Sequence, residues 1–215
     1  MKNAIALAAV AGIASAAAAQ NGSLTIVASQ TLVDSTVTNS ITLSVYGDAD
    51  FGTNITGAAF SLLGTTGGAG VVGDMTVAGE AWGGLGFGEF GDQGDGIHGG
   101  MIMGQIVFLP FIQPDPASAL GNGPVLLGTF TVEILASSAG VVDWQLGGGI
   151  GTFGLETIDV NLNPGGNPPG QVMQFGGTMG AGALELGGVS VTVVPAPSAM
   201  ALLGLGGLVA GRRRR

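Results

Sequence analysis

Short segments in which apolar and polar residues strictly alternate constrain the fold of this chain more than any other feature. The apolar residues Ile41, Leu43 and Val45 fall on one face of an extended segment, and the polar residues between them fall on the other. Residues 129–134 and 189–193 repeat the pattern, with β-branched residues at most apolar positions. A period of two with β-branched residues is typical of strands that are buried on one face.

Further segments have a similar strand-like character and are separated by clusters of Gly, Pro and Asn such as 64–70, 163–170 and 176–182. These candidate strands are residues 24–28, 58–63, 71–78, 101–108, 141–146, 157–160 and 172–175. The 43 glycines follow no Gly-X-Y period, which excludes collagen. About nine or ten short strands without an amphipathic helix predict an all-β fold, a single Gly-rich antiparallel β-sandwich.

The charges are segregated along the chain. The basic residues are Lys2 and the four arginines at the C-terminus, whereas all 14 acidic residues lie between Asp34 and Glu185. Residues 20–194 therefore contain no Lys or Arg. Because phosphate binding requires clustered cations, nucleic acid is excluded as an expected partner, and phosphorylated ligands are disfavoured. The absence of cysteine excludes disulfides and thiolate sites.

The N-terminus has the pattern of a secretory signal peptide. Lys2 precedes an apolar run that is followed by small residues, and Ala17 and Ala19 satisfy the small-x-small rule for cleavage before Gln20. We therefore expect residues 1–19 to be removed after export. The alternative is that they stay as an N-terminal membrane anchor.

The C-terminus combines a proline-containing break, an apolar run and a basic end. Pro195 and Pro197 flank Ala196, and the apolar run 199–211 has 13 residues, whereas a comfortable membrane-spanning helix needs about 20. The prolines keep the break extended, and cationic residues are retained on the cytoplasmic side of a membrane. The basic stop consists of Arg212, Arg213, Arg214 and Arg215. This order predicts a short hydrophobic helix that the membrane holds briefly while an enzyme cuts at the break.

At these residues the chain resembles the bacterial PEP-CTERM proteins, which are substrates of the membrane protease-transpeptidases called exosortases. The family pattern is Pro-Glu-Pro, an apolar segment and an Arg-rich end; here Ala196 replaces the glutamate. The resemblance implies secretion, transient membrane anchoring, an exosortase-like enzyme as partner, and sorting to the cell surface, outer envelope or extracellular matrix. A plain C-terminal membrane anchor is the alternative. The predicted organisation is signal peptide 1–19, extracytoplasmic domain 20–194 and sorting segment 195–215.

The strand order also resembles cohesin-type and related carbohydrate-binding sandwiches of the jelly-roll kind. Residues 125–135, with the sequence VLLGTFTVEIL, are similar to a late strand of those domains, and residues 40–46 followed by GDADFG fit their opening. The resemblance implies a fold and no particular function.

The domain has few groups suited to catalysis. His98 is its only histidine, no Gly-x-Ser-x-Gly elbow is present, and no spacing among the glutamates marks a catalytic pair. We therefore expect a protein that is not an enzyme and that needs no cofactor.

Two glycine loops contain paired acids, Asp48 and Asp50 in one and Asp92 and Asp95 in the other. Ca²⁺ binds several hard oxygen ligands in flexible geometry, so either loop is a candidate metal site. Asp-Gly pairs are equally ordinary turn residues. The first loop is not an EF-hand loop. If Asp48 is position 1, position 12 is Ala59, where an EF-hand has a glutamate ligand.

Sugar-binding surfaces usually expose aromatic rings. Trp82 lies in a glycine loop and is the candidate carbohydrate residue, although the same ring could pack against the sandwich. Trp144 follows apolar neighbours and is expected in the core. The sequence thus predicts an exported, surface-sorted structural or interaction protein of the bacterial envelope or matrix. A secreted Ca²⁺- or carbohydrate-binding module, with extracellular polysaccharide as ligand, is the alternative.

Overall fold

A computed structural model describes residues 21–50, 54–66, 68–81, 91–94, 96–104, 120–121, 123–148, 154–159, 161–162, 164–165, 170–176 and 182–195. All regular secondary structure in these ranges is β-strand. The strands are β1 (Asn21–Ala28), β2 (Leu32–Asp34), β3 (Ser40–Ala49), β4 (Asn54–Thr66), β5 (Val72–Glu80), β6 (Gly91–Gly94), β7 (Ile97–Gly104), β8 (Leu120–Gly121), β9 (Val125–Ile134), β10 (Gly140–Gly148), β11 (Leu155–Asp159), β12 (Gln171–Phe175), β13 (Ala183–Leu186) and β14 (Gly188–Val194). Across the same ranges there is no helix of the length and apolar character that a membrane crossing requires.

The strands form two sheets. The five-stranded sheet has the order β13-β1-β3-β9-β5, and the nine-stranded sheet has the path β12-β11-β4-β10-β14-β2. In the nine-stranded sheet β7 and β8 also pair with β4, and β6 pairs with β7. Since consecutive strands such as β3 and β4 lie in different sheets, the chain repeatedly crosses from one layer to the other.

The predicted alternation sets the inner faces of both sheets. Ile41, Leu43 and Val45 of β3 are buried, and the residues between them are half-buried. In β14, Val191 and Val193 are likewise buried, with Thr192 half-buried between them. The strands identified from a period of two therefore have one face in the core.

The two inner faces pack against each other. Phe60 of the nine-stranded sheet and Phe130 of the five-stranded sheet meet edge to face, with ring centroids 6.2 Å apart and an interplanar angle of 75°. Trp144 is 1% exposed, and its indole Nε1 donates a 2.8 Å hydrogen bond to the Gly96 carbonyl oxygen. The predicted β-sandwich and the core position of Trp144 are confirmed.

Most neighbouring strands are antiparallel, as expected, but two edge pairs are parallel. β13 runs parallel to β1, and β2 runs parallel to β14. In each pair, one of the first two strands of the domain lies beside one of the last two. The parallel pairs arise because β1 continues into β2, and β13 into β14, by switching from one sheet to the other.

Gly187 is the point at which the chain switches between sheets. Its N–H donates to the Leu24 carbonyl in the five-stranded sheet at 2.8 Å, and its carbonyl accepts from the Leu146 N–H in the nine-stranded sheet at 3.0 Å. A Cβ on the next residue, Gly188, would lie 2.8 Å from the Trp144 carbonyl oxygen. The close approach of two backbones therefore requires glycine here.

We expect Gly188→Ala to destabilise the domain by about 1–3 kcal/mol, because the added methyl must push two hydrogen-bonded strands apart. Urea unfolding of the purified protein measures the change. Gly165→Ala is the matched control, since a Cβ there has no atom within 4 Å. Equal unfolding midpoints for the two variants would contradict the crowding argument.

Candidate functional site

An open cleft of about 290 Å³ lies at one end of the five-stranded sheet, where β13, β1 and β3 run side by side. Ser23 of β1 is paired with Glu185 of β13 on one side and with Asp48 of β3 on the other. Since directly paired residues project from the same face of a sheet, the two acidic side chains flank the Ser23 hydroxyl. The cleft is therefore acidic.

Asp50 completes the rim of the cleft. Its Oδ1 accepts a 2.6 Å hydrogen bond from the Asn21 N–H, and its own N–H donates to the Asn21 carbonyl at 3.0 Å. This reciprocal pair joins the first residue of β1 to the end of β3. The Asp50 carboxylate thus stabilises the strand end, and Asp48 and Glu185 are the acids that flank Ser23.

The structure brings some predicted metal ligands together. Asp48 and Asp50 both line the cleft, together with Glu185, which was not among the predicted ligands. The short alternation of residues 183–186 is the one sequence signal that could have indicated a strand at Glu185, and only the parallel pairing of β13 with β1 places it beside Ser23. In the described part of the chain, no three acidic or imidazole side chains form a group suited to a metal ion.

The second predicted acidic loop lies in the β6–β7 hairpin. Asp92 of β6 is paired through its backbone with His98 of β7, and His98 is also paired with Leu62 of β4. Asp95 and the candidate sugar residue Trp82 lie outside the described residues. A metal site at Asp92 and Asp95 and a sugar site at Trp82 therefore stay predictions.

A buried polar cluster connects β4, β11 and β12. Glu156 is 1% exposed; its Oε1 accepts a hydrogen bond from the Thr56 hydroxyl at 3.0 Å, and its Oε2 accepts one from the Gln174 amide at 2.7 Å. Burial raises the pKa of the Glu156 carboxyl above its ordinary value of 4.5, and the bonds from Gln174 and Thr56 offset part of this shift. No nearby cation compensates the charge, because the domain has no Lys or Arg.

The raised pKa of Glu156 predicts a pH-dependent loss of stability. The folded state binds its proton more tightly than the unfolded state, so stability falls as pH rises from about 4.5 through the folded-state pKa, and the loss persists above it. We expect Glu156→Gln, which stays neutral, to be more stable than the parent above this window, with the advantage vanishing below it. Urea unfolding at a series of pH values measures the difference.

Glu133→Gln is the control for this comparison, because it removes the same formal charge from an exposed position of β9. It corrects for the general relief of repulsion in an acidic domain. If both variants gained stability equally with pH, the burial of Glu156 would not be the cause.

The ends of the domain lie next to the predicted processing sites. β1 begins at Asn21, one residue after Gln20, the predicted first residue of the mature chain, and β14 ends at Val194. Pro195 is exposed and follows directly. The other predicted sorting and cleavage residues lie outside the described residues: Ala17, Ala19, Gln20, Ala196, Pro197 and Arg212, Arg213, Arg214 and Arg215.

No protein-family model matches the chain, and comparison with curated proteins finds no match. Among solved structures, the chain is similar to the seventh ScaB type I cohesin from Pseudobacteroides cellulosolvens, with a TM-score of 0.46 and 10% sequence identity. The alignment covers 84% of this chain and 96% of that chain. The assignment of a β-sandwich rests on the strand pairing and the shared core described above.

Proposed function

We propose that the chain is an exported, surface-sorted structural or interaction protein of the bacterial envelope or extracellular matrix. The secretion machinery delivers it, the membrane holds its C-terminal segment transiently, and an exosortase-like enzyme cuts near Pro195 and Pro197. The observation that carries the proposal is the order of the C-terminus. The last core strand ends at Val194. It is followed in order by the proline break, the apolar run and the four arginines.

The position of the break favours processing. Because Pro195 is exposed and lies outside β14, an enzyme at the membrane reaches the break without unfolding the sandwich. Val191 and Val193, by contrast, are buried in the core and stay protected. Cleavage after the domain therefore releases a complete β-sandwich.

The chemistry of the domain favours a structural or binding role over catalysis. The buried carboxyl of Glu156 is hydrogen-bonded on both oxygens and 1% exposed, so it has no access to a substrate. The acidic, cation-free surface favours cationic or neutral partners, such as an extracellular polysaccharide, and disfavours nucleic acid.

Fractionation of producing cells tests the export step. We expect the protein outside the cytosol, with residues 1–19 removed. Recovery of the full-length chain from the cytosol with its N-terminal segment intact would contradict the proposal.

A Ca²⁺-binding module is the second candidate, favoured by the two acids, Asp48 and Glu185, that flank Ser23 in the cleft. Under this alternative, millimolar Ca²⁺ raises the melting temperature, and Asp48→Asn together with Glu185→Gln abolishes the increase. Asp74→Asn is the control, since Asp74 is exposed on β5. An unchanged melting temperature on adding Ca²⁺ would eliminate this candidate at the cleft.

A further inference from the structure

Four exposed apolar side chains surround the point at which the chain leaves the sandwich. This exit patch consists of Leu32, Val37, Val141 and Val194, and Pro195 directly follows its last member. Val37 and Leu32 are 79% and 65% exposed, respectively. Scattered apolar residues on a surface are ordinary, but a group of them marks a surface that another apolar phase covers.

The strand register makes the patch continuous. Val141 of β10 is paired with Thr192 of β14, which is paired in turn with Leu32 of β2. Two inter-strand steps separate Val141 from Leu32, a span of about 10 Å. All three project from the outer face of the nine-stranded sheet, because their neighbours Val142, Val191 and Val33 are buried.

The remaining two members extend the patch toward the chain exit. Val194 is paired with Asp34, one register position beyond the pair of Thr192 with Leu32. Val37 lies in the turn after β2, which the Val37 and Thr38 N–H groups close on the Asp34 carbonyl at 3.2 and 2.9 Å. The turn is further held by the Asp34 carboxylate, which accepts hydrogen bonds from the Thr36 N–H and hydroxyl.

We propose that the exit patch rests on the outer surface of the bilayer that the C-terminal segment enters. The inference rests on the proposed function, because the apolar run at 199–211 is what brings this end of the domain to a membrane. Only Pro195–Ser198 separate Val194 from that run. A link of four residues extends at most about 14 Å, so Val194 and its neighbours stay close to the lipid interface.

The charge of the domain defines the preferred lipid. Asp34 borders the patch, and the domain contains no Lys or Arg to attract anionic headgroups. Apolar side chains at an interface gain free energy in proportion to the area they bury. The patch therefore favours a zwitterionic surface, and anionic lipid weakens its contact by repulsion.

The absence of cysteine allows a direct test with single-cysteine variants of the full chain. Val37→Cys, Val27→Cys and Ala201→Cys are each labelled with an environment-sensitive fluorophore and reconstituted into phosphatidylcholine vesicles. Val27 is the matched control, because it is 51% exposed on the outer face of the five-stranded sheet, whereas the patch strands β2, β10 and β14 belong to the nine-stranded sheet. Ala201 lies in the apolar run and reports insertion of the segment.

We expect the probe at position 37 to shift to shorter wavelength and to be quenched by nitroxide lipids, whereas the probe at position 27 stays in water. Phosphatidylserine in the vesicles should reduce the shift at position 37.

If position 201 is inserted and position 37 behaves like position 27, the inference fails and the proposed function stands. If position 201 stays in water, both fail. A shift at position 37 that depends on protein concentration without vesicles would identify a second copy as the occupant and overturn the inference.

Discussion

Trp144→Ala is expected to lower the free energy of unfolding by about 3–5 kcal/mol. The side chain is 1% exposed and packs in the core between the two sheets. Its removal leaves a cavity and deprives the buried Gly96 carbonyl of its donor, the indole N–H at 2.8 Å. Urea unfolding, followed by circular dichroism, measures the change.

Two variants separate the contributions at this position. Trp144→Phe retains most of the packing and removes the hydrogen bond, so we expect an intermediate loss of about 1–3 kcal/mol. Val27→Ala alters an exposed side chain and should change stability by no more than about 0.5 kcal/mol. A loss below 1 kcal/mol for Trp144→Ala would mean that the two sheets do not share the core described.

Replacing residues 212–215 with four serines is expected to abolish surface sorting of most of the protein. An arginine near an anionic cytoplasmic leaflet contributes about 1 kcal/mol of membrane attraction, so four contribute about 4 kcal/mol. The apolar run at 199–211 is too short to compensate, since a stable span needs about 20 residues. We expect the variant to be exported without being retained in the membrane. It should therefore escape cleavage at the proline break and keep its C-terminal segment.

Quantitative immunoblotting of membrane, surface and medium fractions measures this outcome. Replacing the arginines with four lysines is the control, because lysine retains the positive charge and should preserve most of the sorting. Normal sorting of the serine variant would show that the basic end has no part in the process.

Sequence patterning predicted most accurately the strands in which one face is apolar without interruption. β3, β9 and β14 combine a period of two with β-branched residues, and each buries its apolar face as expected. β2, β6, β8 and β13 were missed because they have two to four residues, too few for an alternation to be recognised. These short strands are stabilised by pairing with other strands, and the residues that determine this pairing lie elsewhere in the chain.

The candidate site shows the same limit. The spacing of Asp48 and Asp50 was visible in the sequence, but Glu185 joins them only because β13 adds to the edge of β1. The burial of Glu156 was equally hidden. Its segment, Leu155–Asp159, alternates poorly, and both of its faces are buried in the nine-stranded sheet. Contacts between residues 100 or more positions apart, such as that of Thr56 with Glu156, are set by the topology of the fold.

Export and C-terminal processing are tested most directly by the mass of the mature protein, measured on intact chains recovered from the surface fraction. We expect a chain that begins at Gln20 and ends upstream of Arg212. A surface form that still contains Arg215 would contradict processing at the proline break and make the C-terminal segment a permanent anchor.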